Sequence, residues 1–101
     1  MEIRAEHSPD KSNIIIEKNK LVGIENETFQ GLVLESIEKG SKNLIIDLAK
    51  VEYVTSWGIG ILVHAYTTCV NRNVKFNITN VNENVMHVLH QTKLDTLFQI
   101  V

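Results

Sequence analysis

The chain has 101 residues, a formal net charge of −2, a hydrophobic share of 44% and one cysteine, Cys69. This length allows one domain with its own core, here residues 1–101, and the near-neutral charge argues against sequence-independent nucleic-acid binding. The lone cysteine excludes an internal disulfide, and with no signal peptide or membrane span predicted, the sequence indicates a cytoplasmic protein.

The first predicted elements are a hairpin and a helix. Residues 3–6 and 14–16 are rich in β-forming side chains and flank a turn-like segment at 8–12, which predicts two strands joined by a turn. From Asn26 the apolar spacing becomes helical, and the helix is expected to end before Gly40. Its apolar face comprises Phe29, Leu32, Val33 and Ile37.

The second half of the chain alternates strands with helices. The apolar run 44–48 predicts a strand covered on both faces, and a second strand is predicted over 74–78. Between them a helix is expected to begin near Trp57. Its predicted apolar face is Ile59, Leu62, Val63, Tyr66 and Val70.

A third helix and a short final element complete the pattern. Asn82 has the character of an N-cap, and residues 94–101 predict a last short helix or strand. Strands that alternate with helices imply parallel pairing through right-handed crossovers. We therefore expect an α/β fold with a mixed sheet of four to five strands, in which an N-terminal hairpin precedes parallel β–α units flanked by helices.

Catalytic and metal sites are weakly indicated. Ser56 lies at a strand-to-helix turn, as a nucleophile would, but Val54 replaces the first glycine of a nucleophile elbow. Asp95 follows His87 and His90, whereas a triad of that type has its acid before the histidine. The two histidines lack an evident third metal ligand. No catalytic residue, metal site or cofactor is predicted.

The junction at residues 53–60, which follows the predicted strand at 44–48 and opens the second helix, carries the most chemical information. Thr55 or Ser56 can cap the helix, which contributes about 1 kcal/mol. A helix N-terminus also has free N–H groups and a positive dipole end, so a serine there can be phosphorylated without unfolding the protein. Trp57 is expected either to pack on the sheet edge or to be exposed beside Ser56 as a partner anchor.

At this junction the sequence resembles the anti-sigma factor antagonist family, the STAS domain. The resemblance rests on the segment 43–48, on Val51 and on residues 53–60, which are similar to a strand ending in Asp-Leu followed by an Asp-Ser-Ser-Gly-Leu-Gly element. Segments 74–85 and 94–98 resemble the family's last strand, third helix and closing segment. The likeness is good from residue 44 to the end and looser before it.

The resemblance implies a regulatory binding protein rather than an enzyme. It implies a partner that is an anti-sigma factor and serine kinase, sequestered by this chain and released when Ser56 is phosphorylated. Gly58 and Gly60 fall on family glycines, while Thr55 replaces an aspartate and Trp57 replaces a small hydroxyl residue. A further difference is segment 19–21, which lacks the glycine of a Gly-x-Leu motif.

The expected partner-binding residues are Thr55, Ser56, Trp57 and Gly58. The main alternative is a constitutive adaptor with the same fold, working without phosphorylation in a signalling scaffold or a transport complex. A small serine hydrolase that uses Ser56 is a distant third. The partner is expected to be a signalling protein, and the sequence leaves its identity and the oligomeric state open.

Overall fold

The structure, a computed structural model, describes residues 2–101. It contains three helices, a 3-10 turn and seven strands. The helices are α1 (Asn26–Glu38), α2 (Ser56–Asn71) and α3 (Glu83–Gln91), and the 3-10 turn is Leu94–Thr96. The strands are β1 (Ile3–His7), β2 (Lys11–Ile16), β3 (Lys20–Leu21), β4 (Asn43–Asp47), β5 (Tyr53–Val54), β6 (Lys75–Thr79) and β7 (Gln99–Ile100).

Five of these strands form one mixed sheet in the order β1-β2-β4-β6-β7. The β1–β2 hairpin is antiparallel and the other three pairs are parallel, which confirms the predicted architecture. Ile14, Ile46 and Ile78 are register partners across the three central strands. Strands β3 and β5 form a separate parallel pair, which the sequence did not predict because two-residue strands have no measurable period.

The helices cover the sheet less completely than predicted. In β4, Leu44 and Ile46 are fully buried, whereas the intervening Ile45 is only partly buried. Its neighbours on that face include Asn43 and Asp47, whose polar side chains tolerate water. The expectation of cover on both faces of this strand is therefore wrong. The apolar run at 44–48 is continuous because Ile45, on the less buried face, lies between the buried residues Leu44 and Ile46.

Helix α1 has the predicted face, with Leu32 and Ile37 partly buried, whereas α2 has its predicted face only in part. In α1, Phe29 and Val33 are fully buried, and Gly40 follows the C-terminus with φ = +93°. In α2 the buried residues are Gly58, Ile61, Leu62, Ala65 and Cys69, whereas Val70 is 52% exposed. The buried face of α2 is thus rotated about the helix axis relative to the predicted apolar face. Three predicted residues lie beside it and are only partly buried: Ile59, Val63 and Tyr66.

The C-terminal third closes the core. Asn82 caps α3 by accepting the N–H of Val85 at 2.8 Å, as predicted. Residues 94–101 form both a 3-10 turn and β7, and Phe98 is buried against Tyr66, with ring centroids 5.6 Å apart. Cys69 is fully buried, and this burial raises the pKa of its thiol to about 11. Between residues 2 and 101, no helix combines the length and apolarity needed to cross a membrane.

Candidate functional site

Thr55, and not Ser56, caps the second helix. Its backbone is extended, and its hydroxyl Oγ1 accepts the N–H of Gly58 at 3.2 Å while donating to the carbonyl oxygen of Val22 at 3.2 Å. The N–H of Thr55 also donates to the carbonyl oxygen of Leu21 at 3.1 Å. Thr55 therefore joins α2 to the strand β3 and the loop that follows it. The hydroxyl of Ser56 is left free of the capping role.

Ser56 and Trp57 lie together on the surface at the first turn of α2. Ser56 is exposed, and 78% of Trp57 is exposed. Of the two predicted placements of Trp57, the structure has the exposed one. The first turn of α2 contains no acidic residue, so the free N–H groups and the dipole of the helix start are not neutralised locally. An anion at Ser56 is electrostatically favourable there.

The two glycines of the motif differ in their surroundings. A Cβ built on Gly58 would lie 2.0 Å from the backbone oxygen of Leu21, whereas a Cβ on Gly60 meets nothing within 4 Å. Gly58 is buried and lets α2 cross β3 at close range. Of the predicted partner-binding residues, the structure brings Thr55, Ser56 and Trp57 to one half-buried or exposed surface, with Gly58 beneath them.

A cleft of about 430 Å³ lies beside Ser56, between α2 and α3. Its apolar wall includes Ile59 and Val88, and its hydroxyl groups come from Thr55, Ser56 and Thr92. No charged side chain lines it. The surface next to Ser56 therefore suits contact with apolar or neutral groups better than with charged ones.

A charged pair that sequence reasoning missed, Lys18 and Glu25, holds the loop that precedes α1. The carboxylate of Glu25 accepts the N–H groups of Val22 at 3.0 Å and Gly23 at 2.9 Å, and it bonds the Lys18 ammonium. Only 3% of the Glu25 side chain is exposed. The pair spans seven residues across β3, and no helical or strand period links them, so no local pattern signals the contact.

The partners of Glu25 determine its titration. Burial by itself would raise the pKa of Glu25, but the Lys18 ammonium and the surrounding backbone N–H groups outweigh burial and lower the pKa below its ordinary value of 4.5. The same contact raises the pKa of Lys18. Both groups are therefore charged at neutral pH.

This pair predicts an acid-dependent loss of stability. Because the pKa of Glu25 is lower in the folded than in the unfolded chain, its stabilisation is complete above about pH 4.5 and is lost as the pH falls through the folded value. We expect the gap in unfolding free energy between the parent and Glu25→Gln to narrow from pH 7 to pH 3 in urea titrations. A gap that stays constant over that range would contradict this assignment.

The histidines do not form a catalytic site with Ser56. His87 and His90 are both exposed on α3, and His90 Nδ1 lies 2.9 Å from Asp95 Oδ2. In the chain from residue 2 onward, neither His90 nor Asp95 makes a hydrogen bond to Ser56. The same residues contain no group of three His, Cys, Asp or Glu side chains placed to hold a metal ion.

Comparisons with known proteins agree on one family. The model of the STAS domain matches residues 10–101. A Thermotoga maritima protein named "Putative anti-sigma factor antagonist" is 30% identical over 89 residues, which cover 86% of this chain and 79% of that protein.

Solved structures share the fold. A crystal structure from Thermotoga maritima with the same descriptive name superposes with a TM-score of 0.77 at 27% identity, covering 97% of this chain and 84% of that one. The unphosphorylated form of SpoIIAA, an anti-sigma factor antagonist, superposes with a TM-score of 0.80 at 14% identity, covering 98% of this chain and 87% of that one. A phosphorylated form of SpoIIAA, described as a Bacillus cell fate determinant, also matches, with a TM-score of 0.74 at 11% identity, 98% coverage of this chain and 90% of that one.

Proposed function

The chain belongs to the STAS domain family, and on that premise we propose that it is an anti-sigma factor antagonist that phosphorylation of Ser56 switches off. In its unphosphorylated form it binds an anti-sigma factor that is also a serine kinase. The observation that carries this proposal is the exposed Ser56 at the first turn of α2, beside the exposed Trp57.

Ser56 is the hydroxyl residue best suited to accept a phosphate. Thr55 uses its hydroxyl in two hydrogen bonds, one to the N–H of Gly58 and one to Val22, so modifying it would cost the helix its cap. Ser56 is exposed, and the start of α2 favours negative charge. SpoIIAA, a protein with a related fold, has solved structures in both its phosphorylated and its unphosphorylated form. This supports the proposal of a phosphorylation switch in this chain.

Trp57 is the candidate anchor for the partner. Large aromatic side chains that become buried at an interface contribute a disproportionate share of binding free energy. Trp57 borders a cleft with Gly23 and Gly60, and the separate cleft with Ile59 and Val88 in its wall offers an apolar surface that is continuous with Ser56. A phosphate at Ser56 would therefore enter a partner interface that lacks a charged side chain of this protein to receive it.

In this role the protein is a ligand and a kinase substrate rather than a catalyst, and it works in the cytoplasm as one domain, residues 1–101. The partner is a signalling protein and not a nucleic acid, consistent with the net charge of −2.

One observation favours a second candidate, the constitutive adaptor. Trp57 is 78% exposed, at a position where the family resemblance has a small hydroxyl residue. An indole at this position can anchor a partner in a signalling scaffold or transport complex whether or not Ser56 is modified.

Phosphate mapping separates the two candidates. The experiment uses each anti-sigma factor kinase encoded in the same genome, purified and supplied with Mg-ATP. Each kinase is tested against three forms of the chain. The parent and Thr55→Asn, which keeps a capping acceptor, should be phosphorylated on Ser56 by the cognate kinase, and Ser56→Ala should not. No phosphate with a kinase that binds the parent would favour the adaptor, whereas phosphate on Thr55 would show that Ser56 is not the accepting residue.

A further inference from the structure

The loop between β3 and α1 is attached to the start of α2 at two successive residues. The carbonyl oxygen of Val22 accepts the hydroxyl of Thr55. Gly23 has φ = +124°, and a Cβ built on it would lie 2.9 Å from the Cβ of Trp57. The backbone of Gly23 therefore packs directly against the base of the Trp57 side chain.

The carboxylate of Glu25 holds these same two residues. It accepts their N–H groups at 3.0 Å and 2.9 Å and is itself held by Lys18, of which 16% of the side chain is exposed. Hydrogen bonds to a charged, water-excluded carboxylate are among the stronger ones in proteins. Val22 and Gly23 are thus fixed from one side by Glu25 and touch Thr55 and Trp57 on the other.

We propose that Glu25 is a positioning residue, which sets the orientation of Trp57 through Gly23 and thereby the affinity of the partner surface. The effect on affinity rests on the function proposed above, whereas the effect on Trp57 does not. Ile24, between Gly23 and Glu25, is 84% exposed. The loop thus keeps a large apolar side chain in water next to Gly23 in the chain.

The single tryptophan makes the inference directly measurable. In the ¹⁵N-labelled free protein, the one indole N–H resonance reports the surroundings and motion of Trp57. Glu25→Gln turns an amide donor toward the Lys18 ammonium, and Glu25→Asp keeps the charge but shortens the reach by one methylene. We expect both variants to move or broaden the Trp57 indole resonance, and to reduce protection of the Val22 and Gly23 amides from hydrogen exchange.

Val33→Ala is the control for general destabilisation. Val33 is fully buried in α1, so its truncation lowers stability without touching the loop, and the Trp57 resonance should keep its position. If Val33→Ala moves that resonance as much as the Glu25 variants do, the effect is general loosening and the inference is wrong. An unchanged Trp57 resonance in either folded Glu25 variant would equally overturn it.

Partner affinity provides the second measurement. Binding sites need their groups held within about 0.5 Å of the productive geometry. With the cognate kinase as the probe, we expect Glu25→Gln and Glu25→Asp to weaken binding about tenfold, and Val33→Ala to leave it unchanged. If the parent itself binds no such kinase, the proposed function fails while the resonance still decides the role of Glu25. If the kinase binds all four forms equally, Glu25 does not set affinity.

Discussion

Gly58→Ala is expected to destabilise the protein by more than about 3 kcal/mol, or to prevent folding. The added methyl group would lie 2.0 Å from the carbonyl oxygen of Leu21 and 2.7 Å from its carbonyl carbon, and backbone atoms of a paired strand cannot rotate away as a flexible side chain can. Relief requires α2 to move off β3, which breaks the hydrogen bond from the N–H of Thr55 to Leu21. Urea unfolding followed by circular dichroism measures the loss.

Gly60→Ala is the matched control, two residues further along the same helix. A Cβ at Gly60 meets nothing within 4 Å, so alanine there should stabilise the helix by about 0.5–1 kcal/mol through its better helical propensity. The two substitutions add the same methyl group and should shift stability in opposite directions. Equal effects would mean that α2 does not cross β3 at the observed distance.

The difference between these glycines shows where prediction from sequence stops. Local pattern was sufficient for the alternation of strands and helices, for the hairpin and for the Asn82 cap, because these depend on residues close in the chain. In the sequence, Gly58 and Gly60 are two equivalent family glycines of one motif. Only Gly58 allows close packing, and local pattern does not reveal this because the contact with Leu21 joins residues 37 positions apart.

The same limit explains the errors within the site. The predicted apolar face of α2 included Val70, because spacing alone does not reveal that Gly58 turns the helix onto β3. The placement of Trp57 stayed undecided, since an aromatic residue at a helix start suits either a core or a surface. The contact of Lys18 with Glu25 depends on how β3 turns into α1, which no periodicity encodes.

Ser56→Asp is expected to leave the melting temperature near that of the parent and to weaken partner binding at least about tenfold. Within the protein, a negative charge at the first turn of α2 is favoured by roughly 0.3–1 kcal/mol through the helix dipole and the free N–H groups. At the interface that same charge must lose water, and no charged side chain lines the neighbouring cleft to pair with it.

Two variants separate the charge at this site from other effects. Ser56→Ala should bind the cognate kinase nearly as tightly as the parent, because removing an exposed hydroxyl leaves no buried group unpaired. Ser8→Asp makes the same change of net charge at an exposed residue of the β1–β2 turn. This turn lies near the start of β4, at the opposite end of the sheet from the first turn of α2, so the variant should bind as the parent does.

Isothermal titration of the cognate kinase with Ser56→Asp, Ser56→Ala and Ser8→Asp should therefore give one weak and two strong complexes. A phosphate carries a charge of about −1.5 to −2, so phosphorylated Ser56 should weaken binding further than aspartate does. Because Thr55 brings no charge of its own to the helix start, the phosphate would account for the whole electrostatic change there. If Ser56→Asp binds as tightly as Ser56→Ala, the phosphorylation switch is wrong, and Trp57 anchors a partner that does not respond to charge at Ser56.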